Sequence, residues 1–362
     1  MRHRECLIED YMSFKLGLGS KKGIGIDIGS GCIKVLALAK SGHHKYRMEN
    51  SDIAPLPGGA VAGGIISNEA SIAPYLKSSF SRLGIKEKDV VIAVPCRHVI
   101  VKTVEMPKMK GDELDAAIYY EAQQYVTYNI NDVFYDYVVL GESQTDLNNN
   151  MVMIIAGKKD AINNRTGFIS ECGLNPYAVD ADCIAVENMF NFNYPEEFDR
   201  LVSLIMIGAS ETNVHVIQKG LNLFRRDIPI GGLNITDGIA KKFQMDFNEA
   251  ENVKTGGIGK RDANFQTDYA IYLDMAASQI ISEIQRAIDY FAANNNRQYP
   301  EKIYLTGGTS ALPGLQKGIE GKLNIPAEAI NPFRNILNAS GTADNLRHLF
   351  GVAVGLSLRG FE

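Results

Sequence analysis

Asp27-Ile28-Gly29-Ser30-Gly31-Cys32-Ile33-Lys34 puts a carboxylate, two glycines and an ammonium on one short piece of chain. The apolar run Gly25-Ile26-Asp27-Ile28 before it and Ile33-Lys34-Val35 after it read as two strands joined by a tight turn. Gly29 and Gly31 have no Cβ, so such a turn can aim successive backbone N–H groups at an anion that a larger side chain would hold away. Lys34 adds a point charge, and Asp27 adds an oxygen ligand suited to a hard cation. The chemistry this implies is a phosphate cradle built on a hairpin.

A second copy follows in the other half of the chain. Ile205-Met206-Ile207-Gly208-Ala209-Ser210-Glu211-Thr212-Asn213-Val214 aligns with the first stretch, apolar on apolar and Gly208 beneath Gly29. A glycine hairpin alone also punctuates ordinary turns, but a pair suggests two halves gripping one polyphosphate. The third element, Lys302-Ile303-Tyr304-Leu305-Thr306-Gly307-Gly308-Thr309, is a strand running into two glycines before a helix start near Ala311 to Leu315. Such a junction lets backbone approach a flat or anionic ligand.

In order and spacing these three elements resemble the phosphate 1, phosphate 2 and adenosine motifs of the actin, heat-shock chaperone and sugar-kinase superfamily. Further segments carry a closer resemblance. They are Asp89-Val90-Val91-Ile92-Ala93-Val94-Pro95, Val104-Glu105-Met106-Pro107, the Tyr120-Glu121-Ala122-Gln123 core of 117–126, Arg226-Asp227-Ile228-Pro229-Ile230-Gly231-Gly232 and Gly351-Val352-Ala353-Val354-Gly355-Leu356. From about Met12 to the end, the chain resembles the FtsA-like branch of that superfamily, and within it the PilM family of type IV pilus assembly proteins.

The resemblance implies an α/β, actin-like (ribonuclease H-like) two-lobed ATPase fold with an FtsA-type 1C subdomain. It also implies ATP and Mg²⁺ as ligands. In it Asp27 serves the metal, Ser30, Gly31 and Cys32 donate N–H groups after Gly29, and Lys34 touches the β-phosphate. Gly208, Ala209, Ser210 and Thr212 form the second loop, and Gly307, Gly308 and Thr309 close one side of the nucleoside. Glu251 and Lys254 match a Glu-x-x-Lys that lines the adenine; three residues apart they share a helix face, and an ordinary surface ion pair fits them nearly as well. Asp182, in Val179-Asp180-Ala181-Asp182-Cys183-Ile184-Ala185-Val186-Glu187, falls where an acid faces the γ-phosphate; a helix N-cap is the other reading. The acid usual before the second loop is Met206 here. A thioether cannot hold a hard cation or orient a water, so nucleotide binding with at most weak ATPase activity is expected.

The implied partner is PilN, an inner-membrane pilus protein whose cytoplasmic N-terminal peptide would bind between subdomains 1A and 1C. That expects a cytoplasmic protein held at the inner face of the membrane through its partner, with self-association left open. Two other readings stand beside it. A small-molecule kinase of the same superfamily would need a substrate-facing base and a polar sugar pocket, for which no residues stand out. An FtsA-like division protein would carry a basic amphipathic tail helix, and none is visible near Leu358-Arg359-Gly360-Phe361.

Composition agrees with a soluble protein of more than one lobe. The 362 residues exceed the size at which one core usually stops growing. With 37 Lys plus Arg against 42 Asp plus Glu and no basic stripe, nucleic acid is not an expected partner. No apolar run approaches the roughly 20 residues of a spanning helix, so no direct membrane insertion is expected. The charged start, Met1 to Cys6, does not read as a secretory signal. Cys6, Cys32, Cys96, Cys172 and Cys183 sit singly, which suggests reduced thiols and neither a zinc site nor a disulfide framework. Cys32 reads as a small residue filling a turn, with a redox switch as the sharper alternative. His43 and His44 are adjacent in a polar hairpin and read as solvated.

The elements that must position the loops follow from periodicity. Residues 1–22 are expected to be poorly ordered. Residues 23–96 form the first part of subdomain 1A, with strands over 23–28, 33–39, 46–53 and 90–94 and a helix over 69–83 stopped by Gly84. Residues 97–175 form the 1C insertion, with a helix over 110–126, strands over 134–141 and 152–157, a polar turn at 144–150 and a helix over 159–172. Residues 176–200 return to 1A, 201–235 begin 2A, 236–300 form 2B, and 301–362 complete 2A and the closing helix of 1A. Helices are expected over 236–243, 248–254 and 270–294. Ile280, Ile284, Ile288 and Phe291 make a core stripe on the last.

Overall fold

The computed structural model describes residues 22–126, 129–143, 146–257, 261–339 and 344–361. The expectation for 1–22 therefore lies, but for Lys22, outside the described residues. The chain opens on an antiparallel meander, β1 (Lys22–Ile28), β2 (Cys32–Gly42) and β3 (Lys45–Pro55). Strand alternation explains its two faces. Ile24, Ile26 and Ile28 enter one core, while Gly23 and Gly25 leave the other face bare for a helix. A two-residue ribbon, β4 (Val61–Ala62) with β5 (Ile65–Ile66), precedes helix α1 (Glu69–Leu83). Asn68 caps its start by accepting from the Ser71 N–H, and Gly84 ends it in the left-handed region at φ 62°. Strand β6 (Asp89–Val94) then lies parallel to β1.

Strand β7 (Val99–Pro107), helix α2 (Asp112–Tyr125), β8 (Val133–Glu142) and β9 (Asn149–Lys158) build a separate antiparallel sheet in the order β7-β9-β8. Leu114, Ile118 and Ala122 of α2, one helical face, pack on Val104, Met106, Val152 and Ile154. Helix α3 (Lys159–Glu171) departs from the expectation that 97–175 is one compact insertion. Its Phe168 and Ile169 are buried with Ile24, Ile26, Val90 and Ile92. The apolar face of α3 is long enough to roof the first sheet, so it belongs to that core. Strand β10 (Asn175–Ala181) joins β6 in parallel, and α4 (Asp182–Asn193) follows it.

The second half repeats the plan. β11 (Val202–Ile207), β12 (Thr212–Gln218) and β13 (Leu221–Ile228) form another meander. Three helices follow, α5 (Gly232–Phe243), α6 (Phe247–Lys254) and α7 (Ala263–Asn294), then β14 (Lys302–Thr306), α8 (Leu315–Leu323), β15 (Ala327–Ala329), the short β16 (Ile336–Leu337) and α9 (Gly351–Arg359). The strand orders are β10-β6-β1-β2-β3-β16 and β13-β12-β11-β14-β15. Apart from β16, one order matches the other strand for strand. Each is a meander extended by two parallel strands beside its first member.

Two helices are longer than periodicity suggests. α7 starts at Ala263, where the Asp262 side chain accepts from the Phe265 N–H, and its first turns pack Phe265 and Tyr269 on Phe243. Its Ile280, Ile284, Ile288 and Phe291 stripe is buried, at roughly 1.5–3 kcal/mol per side chain. α5 starts at Gly232, in a Gly-Gly pair that reads as loop. After Gly307 a 3-10 turn, Gly308–Ala311, separates the glycines from α8. α9 seats on β1 and α4. A Cβ on Gly355 would lie 1.8 Å from the Ala185 carbonyl, so only glycine permits that approach.

Candidate functional site

The two meander turns face each other. Each is closed by the same bond, Gly29 N–H to Cys32 O at 3.0 Å in one and Gly208 N–H to Glu211 O at 2.8 Å in the other. Ser30 Oγ donates to Ser210 Oγ at 3.1 Å, so the loops touch. The third glycine element closes behind them. Gly307 has φ +90°, and a Cβ there would lie 2.5 Å from the Ile207 carbonyl oxygen, so the position excludes other residues. Between these elements lies a cavity of about 140 Å³.

Asp27, Gly29, Ser30, Gly31, Cys32 and Lys34 line it from the first loop, Gly208, Ala209 and Ser210 from the second, and Asp182, Gly307 and Gly308 from elsewhere. Thr212, Thr309, Glu251 and Lys254 do not line it. Thr212 is buried and donates its hydroxyl to Ile230 O; Thr309 donates to Gly208 O at 2.8 Å and braces the second loop from behind. Glu251 and Lys254 pair at 2.6 Å, and both bond the Thr236 hydroxyl. Lys254 also reaches Gly232 O, beside Thr309. They tie α6 to the start of α5, on the far side of the Gly308-Thr309 turn.

The wall charges nearly cancel, with one cation in surplus. Asp27 and Lys34 are opposite partners in the β1–β2 register and pair at 2.9 Å. Burial alone would lower the Lys34 pKa, but the Asp27 carboxylate and the Cys32 thiol hold it above its ordinary value. Glu211 pairs with Arg97 at 2.8 Å; its burial pushes its carboxyl up, against the pull of Arg97. Asp182 is pushed up to about 8, by burial first and then by Glu211, with the Cys96 N–H opposing. At neutral pH Asp182 is therefore mostly protonated. That leaves Arg165, 3% exposed, whose guanidinium donates to Ile28 O and Gly64 O. Its burial lowers its pKa while Asp27 and Glu211 support the charge.

Asp182 stands in the cavity wall. It is the first residue of α4, not its cap, and its Oδ1 accepts the Cys96 N–H at 2.9 Å. Two wall residues, Arg165 and Glu211, and Arg97 behind them escape a sequence reading. Arg165 reaches in from the middle of α3, with no local signal. Glu211 and Arg97 pair across segments, although the position of Glu211 directly after the second loop was a usable clue. Glu211 gives the second half a carboxyl that Met206 does not.

The cysteine expectation needs correction. Cys96 and Cys183 are joined as a disulfide, their Cα atoms 5.9 Å apart. The sequence hides this because 87 residues separate them and only the fold brings β6 beside α4. Cys32 and Cys172 are free.

The family model for type IV pilus assembly protein PilM matches residues 25–361. The chain belongs to the PilM family. Among solved structures, a PilM-PilN type IV pilus biogenesis complex matches this PilM-family chain with a TM-score of 0.83 at 24% identity, over 95% of this chain and 100% of that one. The ethanolamine utilization protein EutJ of Carboxydothermus hydrogenoformans matches at 0.58 and 13% identity, over 99% and 100%. MreB 5 of Spiroplasma citri bound to AMPPNP matches at 0.51 and 15%, over 94% and 96%. These likenesses establish an actin-like two-lobed fold.

The PilM-family chain has a second, larger concavity of about 840 Å³ where the β7-β9-β8 sheet meets the first sheet, α4 and α9. Leu140, Met153, Ile184, Phe192 and Leu358 give it an apolar floor, and Lys40, Lys45 and Arg334 stand at it as cations. No described helix is long and apolar enough to cross a membrane.

Proposed function

We propose that this protein is a nucleotide-binding assembly platform of the type IV pilus machinery that binds ATP between its twin loops and the N-terminal peptide of PilN in the larger groove. The observation that carries the nucleotide reading is the pair of identically closed turns meeting across a cavity with Arg165 and Lys34 in its wall. A polyphosphate needs N–H groups and fixed cations, and both are there. A cavity of about 140 Å³ is below the usual ligand range of roughly 300–1,000 Å³. Entry of ATP therefore parts the Ser30–Ser210 and Arg97–Glu211 contacts.

The donor set fits Mg²⁺ only as a cation carried by the phosphates. Asp27 shares one oxygen with Lys34, Met206 offers none, and protonated Asp182 is a poor ligand. Mg²⁺ commonly keeps several waters and takes one or two carboxylates, so Asp27 through water is the residue that would hold it. The ion would neutralise phosphate charge. Lys34 and Arg165 offset the rest, and with Asp182 protonated and Asp27 held by Lys34 the first-lobe wall orients an attacking water poorly, so turnover is slow. Asp182, Cys32, Gly308 and the Glu251–Lys254 pair act as neighbours of the nucleotide, the last on the adenine side.

Residues 23–96 and 176–200 serve as subdomain 1A, 201–235 with 301–350 as 2A, and 236–300 as 2B, while the 1C insertion ends near 158, before α3. The peptide groove lies between 1A and 1C. Its apolar floor suits an extended apolar segment of a membrane protein, which would hold the chain at the inner face of the cytoplasmic membrane. The test is calorimetry with a synthetic peptide of the cytoplasmic N-terminal segment of PilN. Met153→Asp and Ile184→Asp should each weaken binding at least tenfold while leaving the melting curve cooperative. Unchanged binding in both would refute the groove. Deleting 97–175 would not serve, because α3 is part of the first core.

A further inference from the structure

Behind the cavity wall, three elements bring sulfur and a fixed cation together. Cys96 sits in the 3-10 turn after β6, and Cys183 is the second residue of α4. Both are essentially inaccessible, at 0% and 1% exposure. Arg225, on edge strand β13 of the other lobe, directs one guanidinium nitrogen to Cys183 Sγ at 3.3 Å and to Cys96 Sγ at 3.7 Å. Its other nitrogen donates to Val99 O at 2.8 Å, at the start of β7. No motif or interface in the proposed function uses this arrangement.

A guanidinium is an expensive group to aim at two neutral sulfurs, which are weak acceptors. Beside a thiolate it makes a charge-assisted contact about twice as strong as a neutral one, and it lowers the thiol pKa. We propose that Cys96 and Cys183 are a reversible, peroxide-sensitive dithiol whose oxidation state sets how firmly Arg225 ties the second lobe to the first. In the reduced form Arg225 holds a thiolate and Val99 O together. In the oxidised form, which is the form the structure shows, the negative charge is gone, and Arg225 keeps Val99 O and two weak contacts to neutral sulfur.

The chemistry balances with a peroxide as oxidant, which reaches the buried sulfurs when the Arg225 contact opens and the lobes part. A Cys183 or Cys96 thiolate attacks one peroxide oxygen, the O–O bond breaks, and the leaving hydroxide takes a proton to become water. The resulting sulfenic acid is attacked by the second thiol, which forms the S–S bond and releases another water. A small dithiol reverses it by exchange. The Cα separation of 5.9 Å lies in the range a bridge needs, so no strand has to move. The same two sulfurs and an Asp182 oxygen lie within 4.8 Å of one another. A metal ion there would compete with a guanidinium already touching both sulfurs, and this favours thiol chemistry.

The test uses the full chain, reduced, desalted and treated with hydrogen peroxide, then digested and mapped by mass spectrometry. A Cys96–Cys183 linked peptide should form and disappear with dithiothreitol. Arg225→Gln should slow its formation about tenfold, the change in thiolate fraction for one pKa unit. Arg225→Lys should recover most of the rate, which separates loss of charge from loss of fold. Amide exchange in β7 and β13 should rise on oxidation of the unsubstituted protein. The proposal is overturned if Cys172 oxidises while no Cys96–Cys183 link forms. It is equally overturned if Arg225→Gln, still cooperatively folded, leaves the rate unchanged, if exchange in β7 and β13 is the same in both forms, or if the protein carries one zinc per chain.

Discussion

The two lobes fold the same way and are not equipped the same way. In register, Asp27 opposite Lys34 on β1–β2 corresponds to Met206 opposite Asn213 on β11–β12. One position holds a buried ion pair; its counterpart holds a thioether and an amide. Backbone bonds at both turns are alike to within 0.2 Å, at 3.0 and 2.8 Å. Turn geometry is thus independent of the flanking charges, because it comes from glycine and strand pairing. What the charges add is chemistry, and the second lobe has kept the cradle while changing what stands beside it.

Lys34→Ala breaks this asymmetry most severely. It leaves the Asp27 carboxylate buried without its cation, a change that typically costs about 3–5 kcal/mol. At roughly 2–4 °C per kcal/mol, the melting temperature should fall by about 10 °C. Affinity for labelled ATP should fall more than tenfold. Met206→Ala, the matched change in the other lobe, should alter ATP affinity less than twofold. Equal losses from the two variants would mean that the lobes share the binding charge.

The asymmetry is sharpened by restoring an acid. Met206→Asp places a second carboxylate in the cavity wall with Asp27, which on the proposed reading would give a phosphate-borne Mg²⁺ a second oxygen ligand. The expected outcome is Mg²⁺-dependent phosphate release about tenfold above the unsubstituted protein, with stability reduced by about 1–3 kcal/mol when no nucleotide is present. A coupled phosphate assay and a melting curve with and without Mg²⁺ and ATP check both parts. No gain in release, with ATP still bound, would show that the second lobe lacks more than one side chain.

Most of this asymmetry is legible in sequence because it is local. Asp27, the glycines, Lys34 and Met206 lie within a few residues of their turns, and strand alternation fixes which way they point. Arg165, Arg97 and Glu211 are legible only in part, since their meeting depends on α3 roofing the first sheet and on a contact between halves. The Cys96–Cys183 pair is not legible at all without β6 beside α4. Periodicity starts α7 late, because Phe265 and Tyr269 pack on Phe243 in a stretch too polar to show a stripe. Periodicity recovers an element's buried face, and it is silent on partners supplied by another element.

Asp182, between the lobes, should report its burial and, after that, the closeness of Glu211 and Asp27 through pH. Its carboxyl is raised from 3.8 to about 8, so the folded state holds a proton that the unfolded chain releases near pH 4. The folded state therefore gains from low pH, and that contribution is lost as pH rises from about 4 to about 8. Asp182→Asn keeps an oxygen for the Cys96 N–H and cannot ionise. Its melting temperature should exceed that of the unsubstituted protein by a few degrees at pH 8.5 and differ little at pH 5. Parallel pH profiles for the two proteins would sink the assignment of a protonated Asp182.

The smallest expected effect concerns the contact between the loops. Ser30 and Ser210 share one partly buried hydroxyl bond, and such bonds contribute about 0.5–1.5 kcal/mol net. Ser210→Ala should lower the melting temperature by no more than about 6 °C. If the loops must part for ATP to enter, the same substitution removes one bond from the closed form and should speed ATP association by up to tenfold, since 1.4 kcal/mol is a factor of ten. Dissociation of bound ATP should change less, because the parted loops no longer make that bond. Stopped-flow measurement with a fluorescent ATP analogue separates the two rates. A slower association in Ser210→Ala would mean that the serine greets the phosphate rather than guarding the entrance, and the second loop would then contribute side-chain chemistry after all.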